Sequence, residues 1–108
     1  MPAPSRYGLL MKFDFDAFVT GIVFDADRAA FALGDGQVRW EDGAAVAAHE
    51  GAILCAAAHP SGEGVLTGGD DGRLVWSRPE GIEVLAELPG RWIDALTTSS
   101  GASLFAFA

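Results

Sequence analysis

The sequence repeats itself, and the repeat constrains the fold more than any other feature. Asp35-Gly36-Gln37-Val38-Arg39-Trp40 returns as Asp71-Gly72-Arg73-Leu74-Val75-Trp76, 36 residues further on. Upstream of each copy lies another matched segment, 19–24 (VTGIVF) and 53–58 (ILCAAA), and a third version, 93–98 (IDALTT), follows Arg91-Trp92. Starts at 19, 53 and 93 mark two complete units and the opening of a third, with a period that varies as loop lengths do. A chain patterned in this way stacks copies of one supersecondary unit, because a single unit cannot bury its own apolar faces.

Each unit reads as a β-meander. Segments 53–58 and 64–68 flank His59-Pro60-Ser61-Gly62, where Pro fixes φ and Gly permits positive φ, so the two segments are expected to pair antiparallel. Asp70-Asp71-Gly72 then signals a hairpin into 73–76, in which Leu74 and Trp76 share a face. Segment 82–88 (IEVLAEL) sets carboxylates outward, as suits an edge strand. The first unit has the same parts at 18–24, 29–33, 37–40 and, weakly, 44–48. Segment 9–15 (LLMKFDF) adds a strand with no neighbour nearby in sequence, and 104–108 (LFAFA) stops in mid-strand. Fourteen glycines are spread along the chain and no long stretch keeps apolar residues three or four apart, so helix is poorly supported. The expectation is an all-β chain whose four-stranded sheets bury Trp40, Trp76, Val38 and Leu74 between them.

The second unit, HEGAILCAAAHPSGEGVLTGGDDGRLVW from His49, resembles the WD-repeat family over nearly its whole length. His49 opens the unit, Pro60-Ser61-Gly62 stands at the family's Ser-Pro-Asp-Gly turn, and 68–72 matches its Gly-Ser-x-Asp-Gly hairpin. The likeness extends more weakly to 18–42 and 91–108, in the style of bacterial WD-repeat proteins. It implies a β-propeller of four-stranded antiparallel blades. Residues 18–48 would be a first blade, 52–88 a second and 92–108 the start of a third, with 9–15 closing the outer edge of a missing last blade. The whole of 1–108 would then be a partial propeller with an incomplete ring, since about four to eight blades close one. Either the chain is a fragment of a longer protein, or it is a ring segment that self-associates.

The resemblance also implies roles for residues. In family members a His, a strand hydroxyl, the hairpin Asp and a Trp form a buried hydrogen-bonded set; His49, Thr67 and Asp71 occupy three of these places, with Gly72 completing the hairpin. The fourth place departs from the pattern, because Trp76 falls four residues after Gly72 and Trp40 four after Gly36, one short, leaving Ser77 and Glu41 in the slot. The first unit keeps only Asp35 of the polar set.

Composition narrows the function. Fifteen carboxylates against seven scattered basic residues give a net charge of −8, which argues against nucleic acid; the acids read first as a surface kept soluble by charge, and where they meet a partner, a basic protein surface suits them better. No apolar run nears membrane-spanning length, 9–11 is too short for a signal-peptide core, and one cysteine excludes an internal disulfide framework, which makes the reducing cytoplasm the default compartment. His49, Cys55 and His59 lack a fourth zinc ligand. Asp25-Ala26-Asp27 and Asp70-Asp71-Gly72 lack the further oxygen ligands of a calcium loop and read as turn acids. The glycine-rich 68–72 has no Lys-Ser/Thr, and no Gly-x-Ser-x-Gly elbow is present. The expected function is a non-enzymatic scaffold for protein–protein interaction, without cofactor, metal or catalytic residue on this segment. The alternative is a propeller-based lyase or hydrolase with its active site elsewhere in the ring.

Overall fold

The computed structural model describes residues 15–99, 101 and 104–108. Strands β1 (Val19–Asp25), β2 (Arg28–Leu33), β3 (Gln37–Trp40) and β4 (Ala45–Ala47) form one antiparallel sheet in sequence order. A second follows from β5 (Ile53–Ala58), β6 (Val65–Gly69), β7 (Arg73–Arg78) and β8 (Gly81–Glu87), and β9 (Leu96–Ser99) pairs with β10 (Leu104–Phe107) in a third. The fold is all-β, in open antiparallel sheets. Among the described residues there is no helix, hence none long and apolar enough to cross a membrane.

Alternation along the strands decides which sheet each side chain meets. On the first sheet Ala30 pairs with Trp40 and Ala32 with Val38, so these four share a face. They form one buried cluster with Ile53, Val65 and Val75 of the second sheet. Gly21 lets the first strands approach, since a Cβ there would lie 3.2 Å from that of Ala56. Burying each large aliphatic in the cluster is worth about 1.5–3 kcal/mol.

The second sheet repeats the arrangement one step on. Leu66 pairs with Trp76 and Gly68 with Leu74, turning these toward the third sheet. Trp40, Val38 and Leu74 are buried as expected, but the expectation for Trp76 is corrected: it is only half-buried. The 59–64 loop and Arg78 at the end of β7 supply polar partners that hold it at the rim. His59 stacks on the indole at 4.0 Å, the Arg78 guanidinium lies 4.0 Å from the ring centre, and the indole N–H donates to the Glu63 carbonyl at 2.9 Å.

Two further differences have local causes. The alternation expected of 82–88 breaks at a bulge, because Val75 pairs with Val84 and Leu74 with Ala86, leaving Leu85 over. The third sheet begins at Leu96 rather than Ile93, since the Asp94 and Ala95 N–H groups both turn to the Ala108 carbonyl. Ile93 itself belongs to the second sheet's surface: its N–H donates to the Gly69 carbonyl at 3.1 Å, and its side chain is fully buried beside Gly68. The strand expected over 9–15 lies outside the described residues apart from Phe15.

Adjacent residues in the 88–95 linker should therefore behave oppositely. Ile93→Ala is expected to lower unfolding free energy by about 2–4 kcal/mol, whereas Trp92→Ala, at a residue 67% exposed, should change it by no more than about 0.5 kcal/mol. Urea unfolding of both variants beside the parent measures the contrast.

Candidate functional site

The polar side chains gather where a linker between sheets meets a hairpin. After β4 the chain turns back over the β2–β3 hairpin, and the Ala48 and His49 N–H groups both donate to the Gly36 carbonyl. After β8 it does the same, with Leu88 N–H donating to the Gly72 carbonyl at 2.7 Å. Both glycines have positive φ, +91° and +77°, and a Cβ on either would strike carbonyl oxygens of the linker, those of His49 and Gly51 for Gly36 and of Leu88 and Arg91 for Gly72. Glycine is required twice over at each position, by conformation and by space.

This linker brings His49 against Asp71 and Thr67. Nδ1 of His49 lies 2.9 Å from the Asp71 carboxylate and Nε2 lies 2.8 Å from the Thr67 hydroxyl. An ionised carboxylate only accepts, so Nδ1 carries the proton and donates to it. Asp71 also accepts from the Arg73 and Glu50 N–H groups at 3.0 and 3.3 Å. Burial pushes its carboxyl pKa up, but these bonds and the imidazole outweigh burial and hold it below its ordinary 3.8. Asp35 makes the matching turn bond to the Gln37 N–H at 3.0 Å and is otherwise exposed. Ser77, in the slot where the resemblance sets a Trp, is fully buried, and its hydroxyl has no hydrogen-bond partner among the described residues.

A second polar knot forms on Asp25, whose turn position alone does not show its burial. Asp25 is 5% exposed and joins the first two sheets: its carboxylate accepts from the Gly64 N–H of the second sheet's loop at 2.9 Å, from the Trp40 indole at 2.9 Å and from Arg28 at 3.1 Å. Burial opposes its ionisation, and these donors more than offset it, leaving the pKa below the ordinary value. Asp25 stands at the end of β1 as His59 stands at the end of β5, each beside the repeat's Trp; that correspondence is the signal that marks it out.

The hydrogen bonds of both knots join separate elements, linker to hairpin and sheet to sheet. No group of three or more His, Cys, Asp or Glu placed to hold a metal occurs among the described residues. His49 is occupied on both nitrogens. Cys55 points its thiol toward the Ile93 carbonyl, at 3.5 Å, and burial raises its pKa, the reverse of an activated thiolate. A cleft of about 460 Å³ opens at the opposite end of the sheets between Asp25–Arg28, 62–64 and 78–80. Its arginines are already engaged, Arg28 with Asp25 and Asp42 and Arg78 with Trp76.

No family model, curated protein or solved structure matches the chain.

Asp71→Ala should cost about 1–3 kcal/mol by stranding partly buried donors, while Glu63→Ala, at an exposed residue, should stay within about 0.5 kcal/mol. Equal melting temperatures for the two variants and the parent would refute a structural role for Asp71.

Acidification should act in two stages. Burial, and the nearby Arg78 charge, hold His59 below its ordinary 6.5, so its contribution is present above pH 6.5 and is lost as pH falls from there toward the folded-state value. Asp25 and Asp71, depressed below 3.8, contribute fully above that value and lose their share as pH falls through their folded-state values. Thermal unfolding between pH 8 and 2 follows both steps; His59→Gln should abolish only the first.

Proposed function

We propose that this chain is part of a WD-repeat β-propeller, a non-enzymatic cytoplasmic scaffold that holds a protein partner. The observation that carries this reading is the His49, Thr67 and Asp71 set, which ties the linker into the second sheet to that sheet's own hairpin. Two successive four-stranded meanders whose facing sides share one buried apolar cluster support it as well. A rigid sheet stack with ordered turns displays its loops in a fixed geometry, which is what a binding platform needs.

The end that carries the linkers is the better surface. It displays Asp35, Glu50, Asp70 and Asp94, all exposed, and beside them Trp92, 67% exposed. Four acidic groups at the same end as an exposed indole, against Arg91 as the one exposed cation there among the described residues, suit a basic partner, with the charges steering encounter and the ring anchoring the contact. The opposite end offers arginines already paired with this chain's own groups.

A photo-crosslinking residue placed at Trp92 in native cells should capture a basic protein in a salt-sensitive manner, and the same probe at Glu80, on the opposite end, should not. Trp92→Ala should then weaken binding of the captured partner at least tenfold, or about 1.4 kcal/mol. Capture from Glu80 alone, or undiminished binding by Trp92→Ala, would overturn the assignment.

A further inference from the structure

The turn between β5 and β6, residues 59–64, reaches both neighbouring sheets. Toward the first sheet, the Gly64 N–H donates to the Asp25 carboxylate at 2.9 Å. Toward the third, the His59 ring lies 6.3 Å from that of Phe105 in β10, and it stacks at 4.0 Å on Trp76, whose indole N–H donates to the Glu63 carbonyl. The turn is closely seated. A Cβ on Gly64, whose φ is +81°, would lie 2.6 Å from both the Ser77 carbonyl oxygen and Trp76 Nε1. The corresponding turn of the first unit, between β1 and β2, is Ala26-Asp27 alone.

The shape of the longer turn hangs on a lone pair of His59. The Ser61 N–H donates to Nδ1 at 3.0 Å, and the Ser61 hydroxyl lies 2.8 Å from the same nitrogen while accepting from the Glu63 N–H at 3.3 Å. A backbone N–H only donates, so Nδ1 is bare and the ring proton sits on Nε2. This is the opposite tautomer to that of His49, whose Nδ1 donates to Asp71. A second proton on the His59 ring must go to Nδ1, where it turns the acceptor into a donor. The Ser61 hydroxyl can accept from the new N–H, but the Ser61 amide then faces another donor and loses its bond. The groups around the ring bear on this step from three sides. Burial and the Arg78 guanidinium on β7 oppose the charged ring, Glu83 on β8 favours it, and the third sheet contributes the uncharged Phe105.

We infer that residues 59–64 form a proton-operated fastening between the sheets: protonation of His59 frees the turn, which withdraws the Gly64 N–H from Asp25 and the Glu63 carbonyl from Trp76 together. Acid thus loosens both junctions at the cleft end, while the linker bonds to the Gly36 and Gly72 carbonyls hold the opposite end. The window lies between two titrations. It opens as pH falls through the folded-state value of His59, below 6.5, and Asp25, held below 3.8, is still ionised there. What fails first is therefore the donor and not the carboxylate. The inference stands on the hydrogen bonds of one turn and is independent of the propeller reading and of any partner.

Native-state amide exchange, followed by NMR from pH 8 to 4.5 and corrected for the intrinsic pH dependence of exchange, tests it on the chain. Protection of the Gly64 amide is expected to fall by about tenfold as His59 titrates, with the midpoint that the imidazole's own nitrogen shifts report. The Leu88 amide, bonded to the Gly72 carbonyl at the other end, should keep its protection throughout. In His59→Gln, Gly64 protection should no longer depend on pH in this range. Should that variant lose the turn altogether, Arg78→Met decides instead: removing the guanidinium should raise the imidazole midpoint and the Gly64 midpoint by the same amount. Four results would overturn the inference: a neutral ring with its proton on Nδ1, Gly64 protection that ignores the His59 titration, midpoints that separate in Arg78→Met, or Leu88 losing protection in step with Gly64, which marks global unfolding.

Discussion

Everything in this structure depends on a carbonyl and a missing side chain at two hairpins. The Gly36 carbonyl takes two linker N–H groups and the Gly72 carbonyl takes one, and at each the absent Cβ is what lets linker and hairpin touch. A linker held in this way delivers the next first strand to the face of the preceding sheet. Ile53 and Ile93 are buried for that reason, although one lies in a strand and the other outside any. The apolar cluster between sheets is the larger energy, but it is non-directional; the glycine clasps supply the direction.

The polar groups make the two complete units unlike. In the second, the hairpin acid reaches the imidazole of the linker and, through it, a strand hydroxyl; in the first, Asp35 reaches only its own turn. The first unit instead spends its buried carboxylate at the other end of the sheets, where Asp25 bonds across to Gly64. The first and second sheets are thus fastened at both ends, by a glycine clasp at one and by a charge-assisted bond at the other. At the next junction His59 stands where Asp25 would be and turns to Trp76, leaving that rim to stacking rather than to a carboxylate.

The sheets were legible because short hairpins write themselves locally: Asp-Gly before an alternating run, and Pro-Ser-Gly between two apolar segments, fixed most of β5 to β7 and their order. The clustering of His49, Thr67 and Asp71 was reachable only through resemblance, since nothing in their spacing of 18 and 22 residues shows that a linker folds back onto a hairpin. The exposure of Trp76 is not written in its pattern, which matches that of Trp40; its surroundings are set by a longer turn contributing His59 and the Glu63 carbonyl. Asp25 looked like a turn acid, and so it is; its burial comes from a loop 39 residues away, which no local pattern encodes.

The meander also sets the order of events as the chain folds. Within each sheet every strand pairs with its neighbour in sequence, so the loops to be closed are short and their entropy cost is small. Contacts of Ile53 and Ile93 require a finished face to land on, and therefore form after the hairpins. The hairpins are thus the contacts of least entropic cost in this topology, whereas the junctions between sheets, which join residues of different units, are costlier to close and yet are what gives each sheet a covered face.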